Sequence, residues 1–386
     1  MIVYVTTQGA RIVREGRHLL VKKENDTYHT LFTYKLEQLV LMGNVIITPP
    51  ALKLLLRENI DTVFLRVDSR NLGRLASAEP KNVFLRRRQF ALAEDSTFCL
   101  PVARSIVLGK MANMATVLNR ISRTRKQGAA AAAADTIRKL ARRSDGASDL
   151  EQLRGFEGAA SATYFQSLSL GLNQNLGFTK RVRRPPTDPV NAVLSLLYTF
   201  LINRAYAAVR VAGLDPYPGV LHSLEYGRHS LPLDLVEEFR TLVADTLTLS
   251  LFNLGVLKEE DFYRLAPPQS IAPTSGVVAD ATIDLACQDA LGMMSVSAEE
   301  DVFDLPDQRL DEVEETPERA GRIAVRLHPA AFIRMIKAFE KKINTEFFHP
   351  QAEKKLTYGE AMIFQARHYR QVIEGEAAHY QPLLLK

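Results

Sequence analysis

Cysteine is scarce: the chain holds two in 386 residues, Cys99 and Cys287, far apart and in apolar surroundings. That excludes a disulfide-stapled fold and a sulfur-rich zinc cage, and leaves two buried free thiols as the expectation. No continuous apolar run approaches the roughly 18 to 20 residues of a spanning helix. The opening MIVYVTTQGARIVREG alternates like a strand and lacks the basic region and apolar core of a leader. A cytoplasmic protein that needs no membrane is the expectation. Signature loops are missing as well: there is no GxxxxGK(S/T), no GxSxG and no HExxH. Phosphate-cradling NTPase chemistry, the common serine hydrolysis and zincin proteolysis are therefore not suggested.

What is present fits a globular chain. Hydrophobic residues make up 46% and charged residues 24%, which is neither disordered nor fibrous, and the length suffices for two domains with their own cores. The net charge of +5 is unevenly spread. Residues 299–318 carry ten acids and one arginine, a net of −9, so the remainder carries +14. A basic body of this kind suits a polyanionic partner, although a basic balance alone is a weak signal.

Strand patterning dominates the first stretch, in short runs over 2–6, 11–14, 18–22, 30–34, 38–41 and 45–48, with a helix after Pro49 and Pro50 and a further strand over 62–67. A polar connection follows, and the β character ends near Phe84. From about Phe90 the period turns helical, with helices expected over 100–122, 135–143, 155–170, 188–211, 231–254, 258–264, 280–292, 328–346 and 357–374. The last opens with Thr357 and Glu360, a capping-box spacing. The fold class expected is α+β: a small N-terminal antiparallel β domain over 1–86, a linker over 87–99 and a larger helical domain over 100–386. Two insertions interrupt the helical part, an alanine-rich basic segment over 123–148 with little to bury, and 267–318, which ends in the acidic run.

The segment GLDPYPGVLHSLEYGRHSLPLDLVEEFR places His222 a dozen residues ahead of three carboxylates. At roughly 100° per residue, Asp234, Glu237 and Glu238 share one helix face and Leu231, Leu235, Val236 and Phe239 the other. Carboxylates at i and i+3 can share a hard cation, and a histidine from the preceding loop can complete its site. Acids near a helix start also suit the dipole, with Ser230 and Pro232 in the cap and first turn, so the helix alone leaves a solvated reading open. His222 alone reads equally as a core histidine, and Glu157 in RGFEGAASATYF equally as an acid complementing a helix N-terminus. Basic residues cluster at Arg86, Arg87 and Arg88; at Lys110 with Arg120, Arg123, Arg125 and Lys126; at Lys180, Arg181, Arg183 and Arg184; and at Lys337, Lys341 and Lys342. Such density suits phosphate contacts that position a duplex without reading it.

Taken together, TDPVNAVLSLLYTFL (187–201), GLDPYPGVLH (213–222) and GRHSLPLDLVEEFR (227–240) resemble the CRISPR-associated adaptation integrases, metal-dependent endonucleases that insert new spacers into a CRISPR array. NVFLRRRQ, Lys110 to Asn113, GFEGAASATYF and the tail motifs RLHPAAFIRMIKAFEKKINTEF and YGEAMIFQARHYRQVI extend the likeness across nearly the whole chain outside the two insertions. The resemblance implies Glu157, His222 and Glu237 as ligands of Mn²⁺ or Mg²⁺, with Asp234 beside them as a supporting or catalytic carboxylate. Glu237 stands where the family often has aspartate; either acid offers an oxygen ligand. Glu238 and Arg240 match the motif as helix support or phosphate contacts. The resemblance also implies double-stranded DNA (protospacer and CRISPR repeat) as substrate; the basic residues expected to contact it are Arg86, Arg87, Arg88, Lys110, Arg181, Arg183, Arg184, Arg228, Lys341 and Lys342. A homodimer through the β domains is implied, together with a small ferredoxin-like adaptation partner in a heterohexamer. Two other readings stay open, a metal-dependent nuclease of branched DNA in repair and a catalytically silent DNA-binding scaffold. A metallohydrolase of small molecules is disfavoured by the basic clusters.

Overall fold

The computed structural model describes residues 2–24, 26–66, 71–75, 82–174, 176–182, 185–265 and 323–385. The expected helix over 280–292, the insertion 267–318 and Cys287 lie outside them, as do Arg183 and Arg184. The chain divides into two compact units, with the boundary between residues 79 and 80.

The N-terminal unit is built from eight strands: β1 (Ile2–Val5), β2 (Arg11–Glu15), β3 (His18–Lys23), β4 (Asp26–Phe32), β5 (Gln38–Met42), β6 (Ile46–Ile47), β7 (Asp61–Leu65) and β8 (Asn71–Leu75). They form two four-stranded sheets, ordered β1-β5-β7-β8 and β4-β3-β2-β6. Strands β2, β3 and β4 pair antiparallel as expected, but β1 and β7 both run parallel to β5, so the pairing is mixed. Strand β5 lies between β1 and β7, and all five residues of QLVLM are buried, the near-continuous burial of a central strand. Helix α1 (Pro49–Arg57) starts on two prolines and buries Ala51, Leu54 and Leu55, the i, i+3, i+4 stripe, into the core with Ile12, Leu19, Leu39 and Leu41. Strand β8 falls where a polar connection is expected; Arg74 secures it to β7 through Asp61 at 2.7 Å.

The second unit is helical: α2 (Val83–Ala93), α3 (Ser96–Arg125), α4 (Gly128–Asp145), α5 (Leu150–Leu168), α6 (Pro189–Val211), α7 (Ser230–Phe239), α8 (Thr246–Asn253), α9 (Pro329–Ile343) and α10 (Tyr358–Glu374). The α+β class stands. Residues 87–99, expected as a linker, lie mostly in α2 and the start of α3. The alanine segment is no loose insertion. Lys126, in a left-handed conformation at φ 54°, turns the chain from α3 into α4, where Ala130, Ala133, Ala134 and Ile137 are buried; small side chains let the helices approach closely. The single helix expected over 231–254 is α7 and α8 joined by a π-helical segment, Arg240–Asp245. Short hairpins escape the sequence reading: β9 (Phe262–Leu265) with β10 (Ala324–Leu327), and β11 (Glu346–His349) with β12 (Lys354–Thr357). The Thr357–Glu360 capping box forms at the start of α10, which ends on Gly375 at φ 81°.

One helix passes the length and composition test for a membrane span, against the expectation: α6, of 23 residues. More than half of its apolar window is buried within the fold, the pattern of a core helix. Cys99 is a buried free thiol whose S–H donates to the carbonyls of Leu92 and Ala93, and burial pushes its pKa up to about 11.

Candidate active site

Every residue of α7 is buried, which sets aside the solvated reading of its acids. Ser230 is the first helical residue rather than the cap, and its hydroxyl donates to the Ser223 carbonyl. Asp234, with no exposed surface, organises the loop that brings His222 in. Its Oδ2 accepts from the backbone N–H of Val220 at 2.5 Å and of Leu221 at 3.0 Å. Its Oδ1 accepts from the His222 N–H at 2.9 Å and contacts His222 Nδ1 at 2.6 Å. Donation from Nδ1–H to the carboxylate leaves Nε2 as the ring atom that can take a ligand, the arrangement usual for a metal-binding histidine. Close approach is possible because residue 219 is glycine: a Cβ there would sit 2.6 Å from Asp234 Oδ2 and 2.8 Å from the Ser230 backbone. From the other side, Arg154 donates to the Leu221 carbonyl at 2.7 Å. On α2, Gln89 donates to the Asp215 and Pro218 carbonyls and Arg86 pairs with Asp215 at 2.7 Å, so three elements hold the loop.

Glu157 on α5 and Glu237 on α7 converge on the ammonium of Lys110 from α3. Lys110 Nζ hydrogen-bonds Glu157 Oε1 and lies 2.5 Å from Glu237 Oε2, which accepts no hydrogen bond of normal geometry. Ser161 donates to Glu157 Oε1 at 2.7 Å, and Arg240 approaches Glu237 Oε1 at 3.1 Å. Burial opposes ionisation of Glu237, but Arg240, Lys110 and His222 outweigh it and hold its pKa down at about 2. Burial likewise opposes the charge on Glu157, Lys110 overcomes it, and the carboxyl titrates below its ordinary value. Two carboxylates ionised at neutral pH and one oriented imidazole make an oxygen-rich donor set suited to a hard divalent cation. That an ammonium already sits between the acids shows that the arrangement holds positive charge. Among the described residues, no three His, Cys, Asp or Glu side chains converge as a ready cage.

Glu238 does not share the face of Asp234 and Glu237. Helical rotation turns its carboxyl to other partners, at the end of the chain: Tyr380 OH and the Leu383 N–H donate to it, and Gln365 donates at 3.0 Å. Asn113, one turn past Lys110, donates to the carbonyls of Glu238 and Leu383 and accepts from the Leu385 N–H at 2.7 Å. A Cβ on Gly109 would sit 2.5 Å from Pro382, so the tail lies directly on α3 beside Lys110. Burial pushes the Glu238 carboxyl up to about 7. Sequence reading gives Glu238 only a general supporting role and misses Tyr380, Gln365 and the tail, whose partners stand more than a hundred residues away. It also misses a second buried cluster. Tyr198 donates to Asp245 at 2.6 Å, and the guanidinium groups of Arg181 and Arg240 lie over its ring at 5.3 and 4.8 Å. Burial lifts the Asp245 carboxyl to about 6.

The basic residues divide. Arg87, Arg88 and Lys341 are exposed. Lys110 is buried between carboxylates; Arg86 is committed to Asp215; Arg181 donates to Asn191 and Ser195; Arg228, 6% exposed, pairs with Glu225. Each of these four, expected at a DNA surface, is engaged with an acceptor inside the fold, and for Lys110, Arg86 and Arg181 that acceptor lies ten or more residues away. Lys342 is half-buried, its ammonium 4.9 Å from the Tyr358 ring centre.

A family model described as CRISPR associated protein Cas1 matches residues 3–270. The chain is similar to CRISPR-associated endonuclease Cas1 3 of Thermus thermophilus, 30% identical over 387 residues that cover all of this chain and 97% of the relative. Among solved structures it resembles a chain of a Cas6-RT-Cas1–Cas2 complex, with TM-score 0.76 and 22% identity, covering all of this chain and 36% of that longer one. It also resembles a casposase bound to integration product, with TM-score 0.73 and 17% identity over 98% of this chain and 92% of that one. At these identities the two structures speak to the fold.

Proposed function

This chain belongs to the CRISPR-associated protein Cas1 family, and from that premise we propose that it is a metal-dependent DNA endonuclease and integrase that joins short foreign DNA to a CRISPR array. The observation that carries the reading is the meeting of Glu157 and Glu237 around a cation, beside a His222 whose Nδ1 is held by Asp234, leaving Nε2 for a ligand. Glu157, His222 and Glu237 would hold the metal, and Asp234 positions the imidazole. When bound, Mn²⁺ or Mg²⁺ supplies Lewis-acid polarisation of a phosphodiester.

The residues themselves have separable tasks. Glu157 and Glu237 present ionised oxygens at neutral pH without a change of protonation, since Lys110 and Arg240 hold them charged. Asp234 keeps His222 in one tautomer and one rotamer, which limits reorganisation when substrate arrives. The buried π-helical join sets Arg240 against Glu237 and keeps a second positive charge at the site. In strand transfer the 3′-hydroxyl of the incoming DNA attacks a target phosphorus. One P–O bond forms and the bond to the leaving 3′-oxygen breaks; the attacker gives up its proton and the leaving oxygen takes one up to become a free 3′-hydroxyl. With water as attacker the same displacement is hydrolysis.

The partners proposed are duplex DNA, a second copy of this chain through the β unit, and a small ferredoxin-like adaptation protein in a heterohexamer. The pairing of Cas1 with Cas2 in the Cas6-RT-Cas1–Cas2 complex supports a partner of this kind. The test is a strand-transfer assay with the partner, a labelled duplex with free 3′-hydroxyls and a supercoiled plasmid bearing a repeat, in Mn²⁺ or EDTA. Metal-dependent joining that disappears in His222→Ala is expected. Metal-dependent cutting of branched DNA without joining would favour the repair nuclease; DNA binding without either activity would favour the scaffold.

A further inference from the structure

Four carboxylate oxygens belong to Glu157 and Glu237, and three are already engaged. Glu157 Oε1 takes Lys110 and Ser161, Glu237 Oε2 faces Lys110 at 2.5 Å, and Glu237 Oε1 faces Arg240 at 3.1 Å. A divalent ion that took an oxygen of Glu237 would share it with Lys110 or Arg240, whose positive charge opposes its own. Lys110 is the weaker holder. Its point-charge ammonium sits at the tip of a flexible chain, whereas the Arg240 guanidinium is also engaged over the Tyr198 ring at 4.8 Å.

We infer that Lys110 is a built-in counter-cation, which occupies the position of the divalent ion in the metal-free protein and must leave it when the ion binds. The inference rests on the metal reading of Glu157 and Glu237 and adds to it a competitor for the site. Two carboxylates facing Lys110 and Arg240 balance to zero charge, so the metal-free site is folded and neutral. Adding a dication while the ammonium stays within hydrogen-bond reach of the same oxygens would place like charges together in a buried site, where repulsion is strong. Lys110 thus protects the fold in the absence of metal and weakens metal binding.

The test compares full-length wild type, Lys110→Met and Glu157→Gln. Mn²⁺ affinity is measured by electron paramagnetic resonance of the free ion, and thermal unfolding is followed in EDTA and in Mn²⁺. Lys110→Met should unfold at lower temperature in EDTA, bind Mn²⁺ at least about tenfold more tightly than wild type, and gain more in Tm from Mn²⁺. Mn²⁺ binding by Lys110→Met that is equal to or weaker than that of wild type, when Glu157→Gln abolishes binding, overturns the lysine inference and leaves the metal site standing. Binding indifferent to Glu157→Gln overturns the metal reading itself. Should Lys110→Met not fold, reductive methylation of Lys110 in wild type, read by mass spectrometry, decides. The amine should react faster in saturating Mn²⁺, and an unchanged rate refutes displacement.

Discussion

Replacing Glu238 with glutamine isolates the effect of the tail cluster on stability. The wild-type carboxyl is fully buried, accepts from Tyr380, Leu383 and Gln365, and titrates at about 7 instead of 4.5 because burial disfavours its charge more than these donors favour it. The folded state thus holds the proton more tightly than the unfolded state. Below pH 4.5 both states are protonated and the contribution to stability is fully present; as pH rises toward 7 only the unfolded carboxyl ionises, and stability is lost. At roughly 1.4 kcal/mol per tenfold change in the proton equilibrium, the loss comes to about 3 kcal/mol across that window. Glutamine keeps the shape and cannot ionise. Its oxygen can accept from the Leu383 N–H while its amide faces Tyr380, so at acid pH the exchange should cost about 1 kcal/mol. By pH 8 the variant should be the more stable by about 2 kcal/mol. The measurement is urea denaturation of both proteins from pH 4.5 to 8, read as a difference so that other groups cancel, including Asp245, which burial raises to about 6. Parallel profiles would refute the reasoning.

Further outcomes follow from the same contacts. Gly219→Ala should destabilise by about 1 to 3 kcal/mol and depress strand transfer, since the added Cβ must push Asp234 or the Ser230 backbone away and carry His222 with it; a variant with wild-type Tm and activity would show that the loop adapts. Asp234→Asn should weaken Mn²⁺ binding about 10- to 100-fold by loosening His222, and an unchanged affinity in titration would remove its positioning role. Arg87→Glu with Arg88→Glu should weaken DNA binding and lower the slope of log K against log salt by about one for each phosphate no longer neutralised. Arg181→Ala should instead leave that slope alone and cost about 1 to 3 kcal/mol in denaturation, because its hydrogen bonds go to Asn191 and Ser195.

Patterns local in sequence were legible. The alternating runs of the first unit, the prolines opening α1, the capping box at Thr357 and the helical period after Phe90 each depend on neighbours within a few residues. The α+β division followed from them, and the motif carrying His222 and Asp234 pointed to the loop and helix that the fold brings together. Strand direction was not legible, because QLVLM reads alike in parallel and antiparallel neighbours until β1 and β7 flank it. Helical arithmetic placed Glu238 beside Glu237, yet a turn of roughly 100° from one residue to the next suffices to face two different partners. Which partner waits on each side is a tertiary matter: Lys110 from α3 meets Glu237, and Tyr380 with Leu383 from the end of the chain meets Glu238. The basic clusters make the same point. Sequence determined that arginine and lysine are dense, whereas packing decided that Arg86, Arg181 and Arg228 face acceptors within the fold and Arg87 and Arg88 face solvent, since which acceptors surround a charge depends on the elements packed against it.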